Sequence, residues 1–373
     1  MNSRERTLSA LARQGWDRIP VHHEGTPEVN AMLRQHFGVS DDLALIGILG
    51  DDWRYVRPAF VGPARRRLPD GSIEGLWGER YADIPYGDGL GTYPEAVYRP
   101  FESIEDPAEL KDYPFPTAHW FDYSTIAQQC EEVNDYAVFV GGAGDLDFMN
   151  GIARCRGVER VLYDVATEDP VYKLLIEKRF RFFYETTERI LRAGGGRVDV
   201  VHCGEDLGTQ RGPIISMRSF ERLFAPYYAE YFQMVHRHGA RALMHSCGSV
   251  RFFIPKLIAM GLDILDVVQV AAEGMELEGL QRDFGRELAF SGTMCVQTIL
   301  PFGTVADVER ETRRRLELFA DGGLILGPTH AIQVFTPLEN ILAMYRTAGS
   351  LRQGFWRSQR LRVPDFEVPG FGV

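Results

Sequence analysis

A histidine and a cysteine two residues apart have the spacing of metal ligands. His245 and Cys247 end a short apolar run, and a helical pattern follows at once. Because side chains alternate along a strand, the imidazole and the thiol should point to the same side, where they form half of a zinc site. Taken alone, the spacing is more typical of a half-buried histidine beside an inert cysteine. The metal prediction therefore depends on the neighbouring residues.

Two further candidate ligands follow other predicted strands. His330 comes after the last strand, and Cys295 comes after the strand before it. Zinc prefers tetrahedral nitrogen and sulfur ligands, and a catalytic site leaves one position open. We predict that His245, Cys247 and His330 bind zinc, with the open position available to a substrate thiol, a water or a carbonyl oxygen. Cys295 is either a fourth ligand or a small apolar filler.

Acid–base candidates follow the strand that begins at residue 198. His202, Glu205 and Asp206 stand at its end. The two carboxylates are adjacent, so only one should face the site, as a general acid or base or as the partner of a ligating histidine. The alternatives are a helix cap, an ion pair with Arg211, and a core role for His202. We predict these three residues as catalytic.

Four glutamines complete the predicted site. Gln269 and Gln297 stand at strand ends, and Gln210 and Gln333 lie in the polar segments after other strands. We predict that these four side chains bind a small-molecule substrate, because a few polar groups at a concave mouth usually orient a ligand.

The elements that carry these residues alternate regularly along the chain. Strands are predicted at 18–23, 136–141, 198–202, 242–245, 264–268, 288–292 and 324–327. Helices are predicted at 3–14, 27–37, 123–134, 147–165, 169–193, 217–237, 250–260, 276–283, 304–320 and 337–352. Such alternation indicates βα units and a parallel sheet.

The number of βα units predicts an α/β fold of the (β/α)8 TIM barrel type, in one domain spanning 1–373. No G-x-G-x-x-G sequence links a strand to a helix, which argues against a dinucleotide-binding fold. Residues 52–105 are rich in Gly, Pro, Trp and Tyr and contain a hairpin signal at Asp70-Gly71. We predict that this segment is an inserted, β-rich excursion that covers one end of the barrel.

Composition restricts the location and the partners. The formal net charge is −11, so the chain lacks the general basic surface that nucleic-acid binding requires. Five widely spaced cysteines argue against a disulfide scaffold and for a reducing compartment. The first residues are polar, and no apolar run reaches the roughly 20 residues that span a bilayer. We predict a cytoplasmic protein without nucleic-acid or membrane partners.

Several motifs carry a family resemblance. The chain resembles the uroporphyrinogen decarboxylase superfamily over most of its length, and the most specific matches are GEDLGTQRG at 204–212, HSCGS at 245–249, LPFGT at 300–304, GPTHAIQ at 327–333 and TPLEN at 336–340. This resemblance implies a (β/α)8 barrel. The decarboxylases of haem biosynthesis carry an arginine-rich N-terminal motif, whereas the matching stretch here, PVHHEG at 20–25, contains no arginine. The resemblance is therefore to another branch.

That branch is the zinc-dependent methyltransferases, which move methyl groups between a corrinoid protein and a thiol, or act in O-demethylase systems. The resemblance implies that His245 and Cys247 are zinc ligands and that His330 replaces a third ligand, usually cysteine. An imidazole in place of a thiolate leaves the metal one charge more positive, which argues against coenzyme M as acceptor. Cys295 stands where many relatives have Asp and could restore the thiolate. The resemblance also suggests a homodimer.

The sequence thus predicts a zinc-dependent, methyltransferase-like enzyme of the O-demethylase type. It would transfer methyl between a small compound and a corrinoid, and the corrinoid would come on a separate protein because this chain lacks a D-x-H-x-x-G motif. The alternative is a decarboxylase or other lyase of a small carboxylic acid on the same barrel. A binding module with a structural metal is the third interpretation.

Overall fold

A computed structural model describes residues 1–87 and 90–352. Residues 88–89, inside the predicted insertion, and 353–373, at the end of the predicted domain, lie outside the described residues. The described strands are β1 (Trp53–Tyr55), β2 (Ala59–Phe60), β3 (Ile73–Glu74), β4 (Arg80–Pro85), β5 (Thr92–Tyr98), β6 (Phe121–Asp122), β7 (Ala137–Leu146), β8 (Val200–Gly204), β9 (Arg241–His245), β10 (Ile264–Asp266), β11 (Ala289–Ser291) and β12 (Leu324–Ile325).

A seven-stranded parallel sheet forms the centre of the fold, in the order β1-β7-β8-β9-β10-β11-β12. The strand predicted at 18–23 is not a regular strand, because Val21 makes only an isolated parallel bridge to Leu326. Its backbone nevertheless contacts both ends of the sheet. Val21 accepts a hydrogen bond from the Asp52 amide, and His22 donates one to Leu326. The sheet is therefore curled and barrel-like, as predicted, with seven strands and one bridging segment.

The interior of the sheet is a layer of apolar side chains. Every strand of the curled sheet contributes to it, and Leu11 packs against the same layer. The members are Leu11, Trp53, Ala137, Phe139, Val200, Leu243, Ile264, Ala289 and Ile325. Their burial removes apolar surface from water, at roughly 1.5–3 kcal/mol for each large side chain. This filled layer leaves the carboxyl ends of the strands as the place for polar residues.

Helices alternate with these strands. They are α1 (Ser3–Leu11), α2 (Pro27–Phe37), α3 (Asp42–Leu49), α4 (Ile126–Glu132), α5 (Asn150–Arg156), α6 (Val158–Thr167), α7 (Pro170–Gly194), α8 (Met217–Leu223), α9 (Ala225–Arg237), α10 (Ile254–Met260), α11 (Leu277–Phe284), α12 (Ile299–Phe302), α13 (Val305–Leu318) and α14 (Leu338–Thr347). Short 3-10 helices occur at Pro107–Leu110 and Ala118–Trp120. None of the helices in the described ranges is long and apolar enough to cross a membrane.

The prediction of α2 is confirmed, and two other helix predictions are corrected. Thr26 caps α2, Pro27 begins it, and Gly38 ends it in the left-handed region. The helix predicted at 147–165 is two helices, because Gly157 has φ +92° between α5 and α6. The helix predicted at 217–237 is also two, and a proline in the first turn of α9 follows the break at Phe224.

The predicted boundaries of the β-rich insertion were wrong at the start. Residues 52–105 include β1, which pairs with β7 in the central sheet. The sequence WRY has no apolar run, so β1 gave no strand signal. Farther along, β3, β4 and β5 form a separate antiparallel sheet. That this segment covers one end of the barrel stays a prediction.

Candidate metal centre

Three predicted ligands come together at the carboxyl ends of the strands. His245 is the last residue of β9, Cys247 follows it, and His330 lies after β12. Their candidate ligand atoms all lie within 4.8 Å of one another. The Cys247 sulfur is 3.3 Å from Nε2 of His245. Neighbouring ligands of a tetrahedral zinc lie about 3.5 Å apart, given Zn–N and Zn–S bonds of roughly 2.0 and 2.3 Å. His245 and Cys247 therefore have the spacing of two zinc ligands, and His330 lies close enough to be the third.

Asp266 orients the first ligand. It ends β10 and is in register with His245, and its Oδ2 lies 3.2 Å from Nδ1 of that histidine. This contact leaves Nε2 directed towards Cys247, an arrangement common around metal-bound histidines. Asp266 was not assigned this role from the sequence. Its place within the predicted strand at 264–268, which follows the H-x-C strand along the chain, was the available signal.

The hydrogen bonds of His245 with Asp266 and Cys247 also determine the charges of His245 and Asp266. Burial opposes a charge on His245, but its hydrogen bonds with Asp266 and Cys247 raise its pKa well above the ordinary value. Burial likewise opposes the Asp266 carboxylate, but the hydrogen bond with His245 and the nearby His202 lower its pKa to about 2. A metal bound at Nε2 of His245 would have to displace a proton from that ring, so its binding would depend on pH.

A tight turn holds Cys247 near His245. Gly248 has φ +81°, and a Cβ there would meet the carbonyl oxygen of Gly208 at 2.3 Å, so only glycine fits. The Cys247 amide donates to Oδ1 of Asp206 over 2.9 Å, and the Gly248 amide donates to Gln269. The backbone amides of Cys247 and Gly248 are thus both held by side-chain hydrogen bonds.

The two adjacent carboxylates separate as predicted, with only one facing the cluster. Asp206 does so, with its Oδ1 3.8 Å from Nε2 of His245. Glu205 faces away and has no exposed surface. It accepts hydrogen bonds from the amides of Phe148 and Met149 and from the Tyr228 hydroxyl. The structure therefore gives Glu205 contacts that stabilise the loop before α5, and does not bring it to the cluster.

Burial raises the pKa of Glu205 well above its ordinary value, and the nearby Asp147 adds to this effect. The hydrogen bonds from the two amides and Tyr228 oppose the shift. Glu205 is therefore a buried carboxyl group that lies outside the cluster of candidate ligands.

His202 is buried deeper in the same mouth. Its Nδ1 is 3.3 Å from the Tyr55 hydroxyl. Its Nε2 lies 3.8 Å from Asp266 and has no hydrogen-bond partner among the described residues. Burial lowers the pKa of this histidine to about 4. The ring is therefore neutral near pH 7 and a weak base, which argues against the predicted role as general base.

His330 is a less constrained ligand than His245. Its ring centroid is 6.0 Å from that of His245, and the residue is exposed. Nδ1 accepts a hydrogen bond from the amide of Ala331 over 2.8 Å. A neutral imidazole that accepts at Nδ1 carries its proton on Nε2, so His330 must change tautomer or ring orientation before it binds a metal.

Of the two alternatives for Cys295, the structure does not bring it into the cluster as a fourth ligand. Among the described residues, the group around His245 contains Cys247 and His330 but not Cys295. Cys295 is buried and accepts a hydrogen bond from the Thr298 hydroxyl over 3.1 Å. It matches the alternative prediction of a small buried residue.

The four predicted glutamines lie in different surroundings. Gln269 is buried, accepts from Gly248 and donates to Gln297 over 3.2 Å. These two residues form a chain from the Cys247 turn outwards. Gln333 donates to the carbonyl of Ala331, beside His330. Gln210 is exposed, and its backbone carbonyl accepts a hydrogen bond from the amide of Glu273.

The fold and the ligand set define an α/β barrel with a candidate metal site at the carboxyl ends of its strands. Within that class, the chain belongs to the uroporphyrinogen decarboxylase (URO-D) family, whose model matches residues 83–351. No curated protein matches the sequence.

The chain is also similar to solved structures. A methyltransferase from Methanosarcina mazei is 15% identical, with a TM-score of 0.67, over 94% of this chain and 98% of that one. This likeness shows a shared fold. A B12-independent methionine synthase from Shewanella sp. W3-18-1 is 10% identical over 72% of each chain, with a TM-score of 0.38. A D-psicose 3-epimerase from Clostridium cellulolyticum H10 is 10% identical over 65% of this chain and 85% of that one, with a TM-score of 0.37.

Proposed function

We propose that this protein is a zinc-dependent enzyme that transfers a methyl group between a small compound and a corrinoid carried by a separate protein, in the manner of an O-demethylase. The observation that carries the proposal is the cluster of His245, Cys247 and His330. Membership of the URO-D family and the fold shared with a methyltransferase support the same reaction class.

The donor set suits zinc. It offers two imidazoles and one thiol, which leaves one position of a tetrahedral ion for substrate. A zinc ion bound there would act as a Lewis acid on an oxygen, nitrogen or sulfur atom of the substrate. The chain itself holds the ligands in place, since Asp266 fixes the His245 ring and Asp206 fixes the Cys247 backbone.

Asp206 is the acid–base candidate that the arrangement favours. Its second oxygen accepts a hydrogen bond from the side-chain Nδ2 of Asn150 over 2.8 Å, which holds the carboxylate at the edge of the mouth. From there it can accept a proton from a substrate hydroxyl or thiol, or return one to a departing group. Gln269 and Gln297 lie beside the turn and can orient the substrate through their amides.

The alternative function, a decarboxylase that uses Glu205, Asp206 and His202 alone, has less support. Glu205 faces the loop before α5, and His202 is a weak base. Only Asp206 retains an acid–base position, whereas the metal ligands converge. A homodimer and a cytoplasmic location stay predictions.

Methyl transfer in both directions tests the proposal. Zinc-loaded protein is mixed with cob(I)alamin and a panel of methyl ethers, and methylcobalamin formation is followed by visible absorbance. The reverse assay offers methylcobalamin to phenols and thiols. We expect transfer by the wild type and its loss in Cys247→Ala, with Cys130→Ala as a matched buried-cysteine control. No transfer in either direction, or equal rates for Cys247→Ala, would contradict the proposal.

A further inference from the structure

A row of polar side chains crosses the barrel mouth behind the metal ligands. Tyr55, His202, Asp266 and His245 stand on β1, β8, β10 and β9. The Tyr55 hydroxyl is 3.3 Å from Nδ1 of His202, and Nε2 of that ring is 3.8 Å from Oδ2 of Asp266. The same Oδ2 lies 3.2 Å from Nδ1 of His245. One carboxylate oxygen therefore faces two imidazoles.

The strand between Tyr55 and His202 leaves room for their contact. β7 lies between β1 and β8 in the sheet, and its residue in register with His202 is Gly141. Gly141 has no side chain, and a Cβ there would meet the His202 carbonyl oxygen at 2.1 Å. A larger residue on β7 would force the backbone apart beside this contact.

The chemistry of the neighbours decides which nitrogen of His202 carries the proton. A carboxylate only accepts hydrogen bonds, so the nitrogen that faces Asp266 must be the donor, and this is Nε2. A neutral ring then has a bare Nδ1, which accepts from the Tyr55 hydroxyl. Nε2 is buried without a closer partner among the described residues, and such a group in a native structure requires an explanation.

We propose that Tyr55 and His202 are positioning residues of the metal centre. His202 donates to Oδ2 of Asp266 and holds that carboxylate against Nδ1 of His245, so that Nε2 of His245 is kept for the metal. Tyr55 fixes the His202 tautomer that makes this donation. The inference rests on the proposed zinc site. It adds His202 and Tyr55, which lie behind Asp266, to the residues that hold His245 in place.

The present separation of 3.8 Å is longer than a hydrogen bond. A shift of about 0.6 Å in either side chain would bring the two atoms to about 3.2 Å, which is a hydrogen-bond distance. Once a metal takes Nε2 of His245, the His245 ring must keep its proton on Nδ1 and donate it to Asp266. Asp266 then faces a donor on each side, and a donor from His202 prevents it from rotating away.

Zinc affinity of the full chain, measured by competition with a chromophoric chelator, tests the proposal. We expect His202→Leu to weaken binding about 10–100-fold, which is the usual effect of losing a supporting contact behind a metal ligand. His202→Gln should recover most of the affinity, because its amide nitrogen can replace the Nε2 donor. Tyr55→Phe should give a smaller loss. His36→Leu, at an exposed histidine of α2, is the matched control and should bind normally.

Nitrogen-15 NMR of the histidine rings supplies a readout that a merely structural role would not affect. We expect the His202 signal to report a proton on Nε2 in the wild type, and to lose that preference in Tyr55→Phe. His202→Gln identifies the signal by its disappearance. A wild-type ring with its proton on Nδ1 would overturn the proposal, as would a His202→Leu variant that binds zinc as tightly as the wild type.

The remaining outcomes separate this inference from the proposed function. His202, His245 and Asp266 also lie close enough to hold a metal themselves. If His202→Leu and His202→Gln both lose zinc completely, then His202 is a ligand and the positioning role is overturned. If the wild type binds no zinc, the proposed function fails, and the NMR result alone then decides whether Tyr55 and His202 hold Asp266.

Discussion

The two sides of the barrel mouth differ in how firmly they hold their candidate ligands. On the β8–β10 side, both ring nitrogens of His245 have partners, and the Cys247 amide donates to Asp206. On the β11–β12 side, His330 is exposed and accepts a hydrogen bond from the amide of Ala331. Cys295 accepts one from Thr298 and does not join the cluster. The first side is thus already arranged for the proposed zinc ion, whereas His330 on the second side would have to reorient.

Because of this difference, the two sides should contribute unequally to zinc affinity. Ligands whose orientation is fixed by contacts behind them bind a metal at little entropic cost, whereas a ligand that must reorient contributes less. His245 and Cys247 should therefore provide most of the affinity. His330 should complete the site and could yield its place while substrate enters.

The largest effect is expected from the fixed side. Cys247→Ala or His245→Ala should weaken zinc binding by on the order of 100-fold or more, because a structural zinc site of about 10–16 kcal/mol shares that energy among a few ligands. Chelator competition measures the change. Circular dichroism must show that the variants remain folded. Near-normal zinc affinity in either variant would contradict the claim that the β8–β10 side provides most of the affinity.

A smaller effect is expected behind the fixed side. Asp266→Asn removes the charge that orients His245 and should reduce zinc affinity about 10–100-fold. The same titration measures it, and Asp263→Asn, at the residue that precedes the same strand, is the control. An Asp266→Asn protein with wild-type affinity would show that His245 needs no orienting carboxylate.

On the adjustable side we expect weaker effects. His330→Ala should lower zinc affinity about tenfold or less, since the ring must first break its bond with Ala331. Cys295→Ala should leave both affinity and stoichiometry unchanged. A loss of zinc in Cys295→Ala would show that the β11–β12 side contributes more to zinc affinity than its contacts indicate.

The smallest effect concerns Glu205, which lies behind the mouth. Its pKa is raised by burial, so the folded protein holds this proton more tightly than the unfolded chain. Stability from this group is therefore complete below the unfolded pKa of about 4.3 and is lost as pH rises through the folded value, by at most ~1.4 kcal/mol per pH unit. Urea midpoints measured across that window should fall less in Glu205→Gln than in wild type. Parallel curves would contradict the assignment.

The sequence predicted the parts of this protein that have strong local signals. The alternation of strands and helices indicated the curled parallel sheet, and the H-x-C spacing indicated that His245 and Cys247 share a face. The structure of segment 18–23 was harder to predict, because Val21 pairs with Leu326 only as an isolated bridge. The strand β1 was also missed, because its sequence lacks an apolar run. Glu205 and Asp206 could not be assigned from order alone, because their orientation depends on the turn that follows β8.

Long-range contacts account for what the sequence missed in the site. Asp266 and Tyr55 come near His245 and His202 only because their strands lie side by side or across a glycine in the sheet. Cys295 differs from Cys247 in the local turn that its backbone follows, and a cysteine's position after a strand does not reveal that turn.

X-ray absorption spectroscopy of the zinc-loaded protein tests the central claim most directly. The account predicts one zinc per chain, with a single sulfur at about 2.3 Å and nitrogen or oxygen ligands at about 2.0 Å. The sulfur contribution should disappear in Cys247→Ala and persist in Cys295→Ala. A shell without sulfur, a shell with two sulfurs, or a wild-type protein that binds no zinc would contradict it.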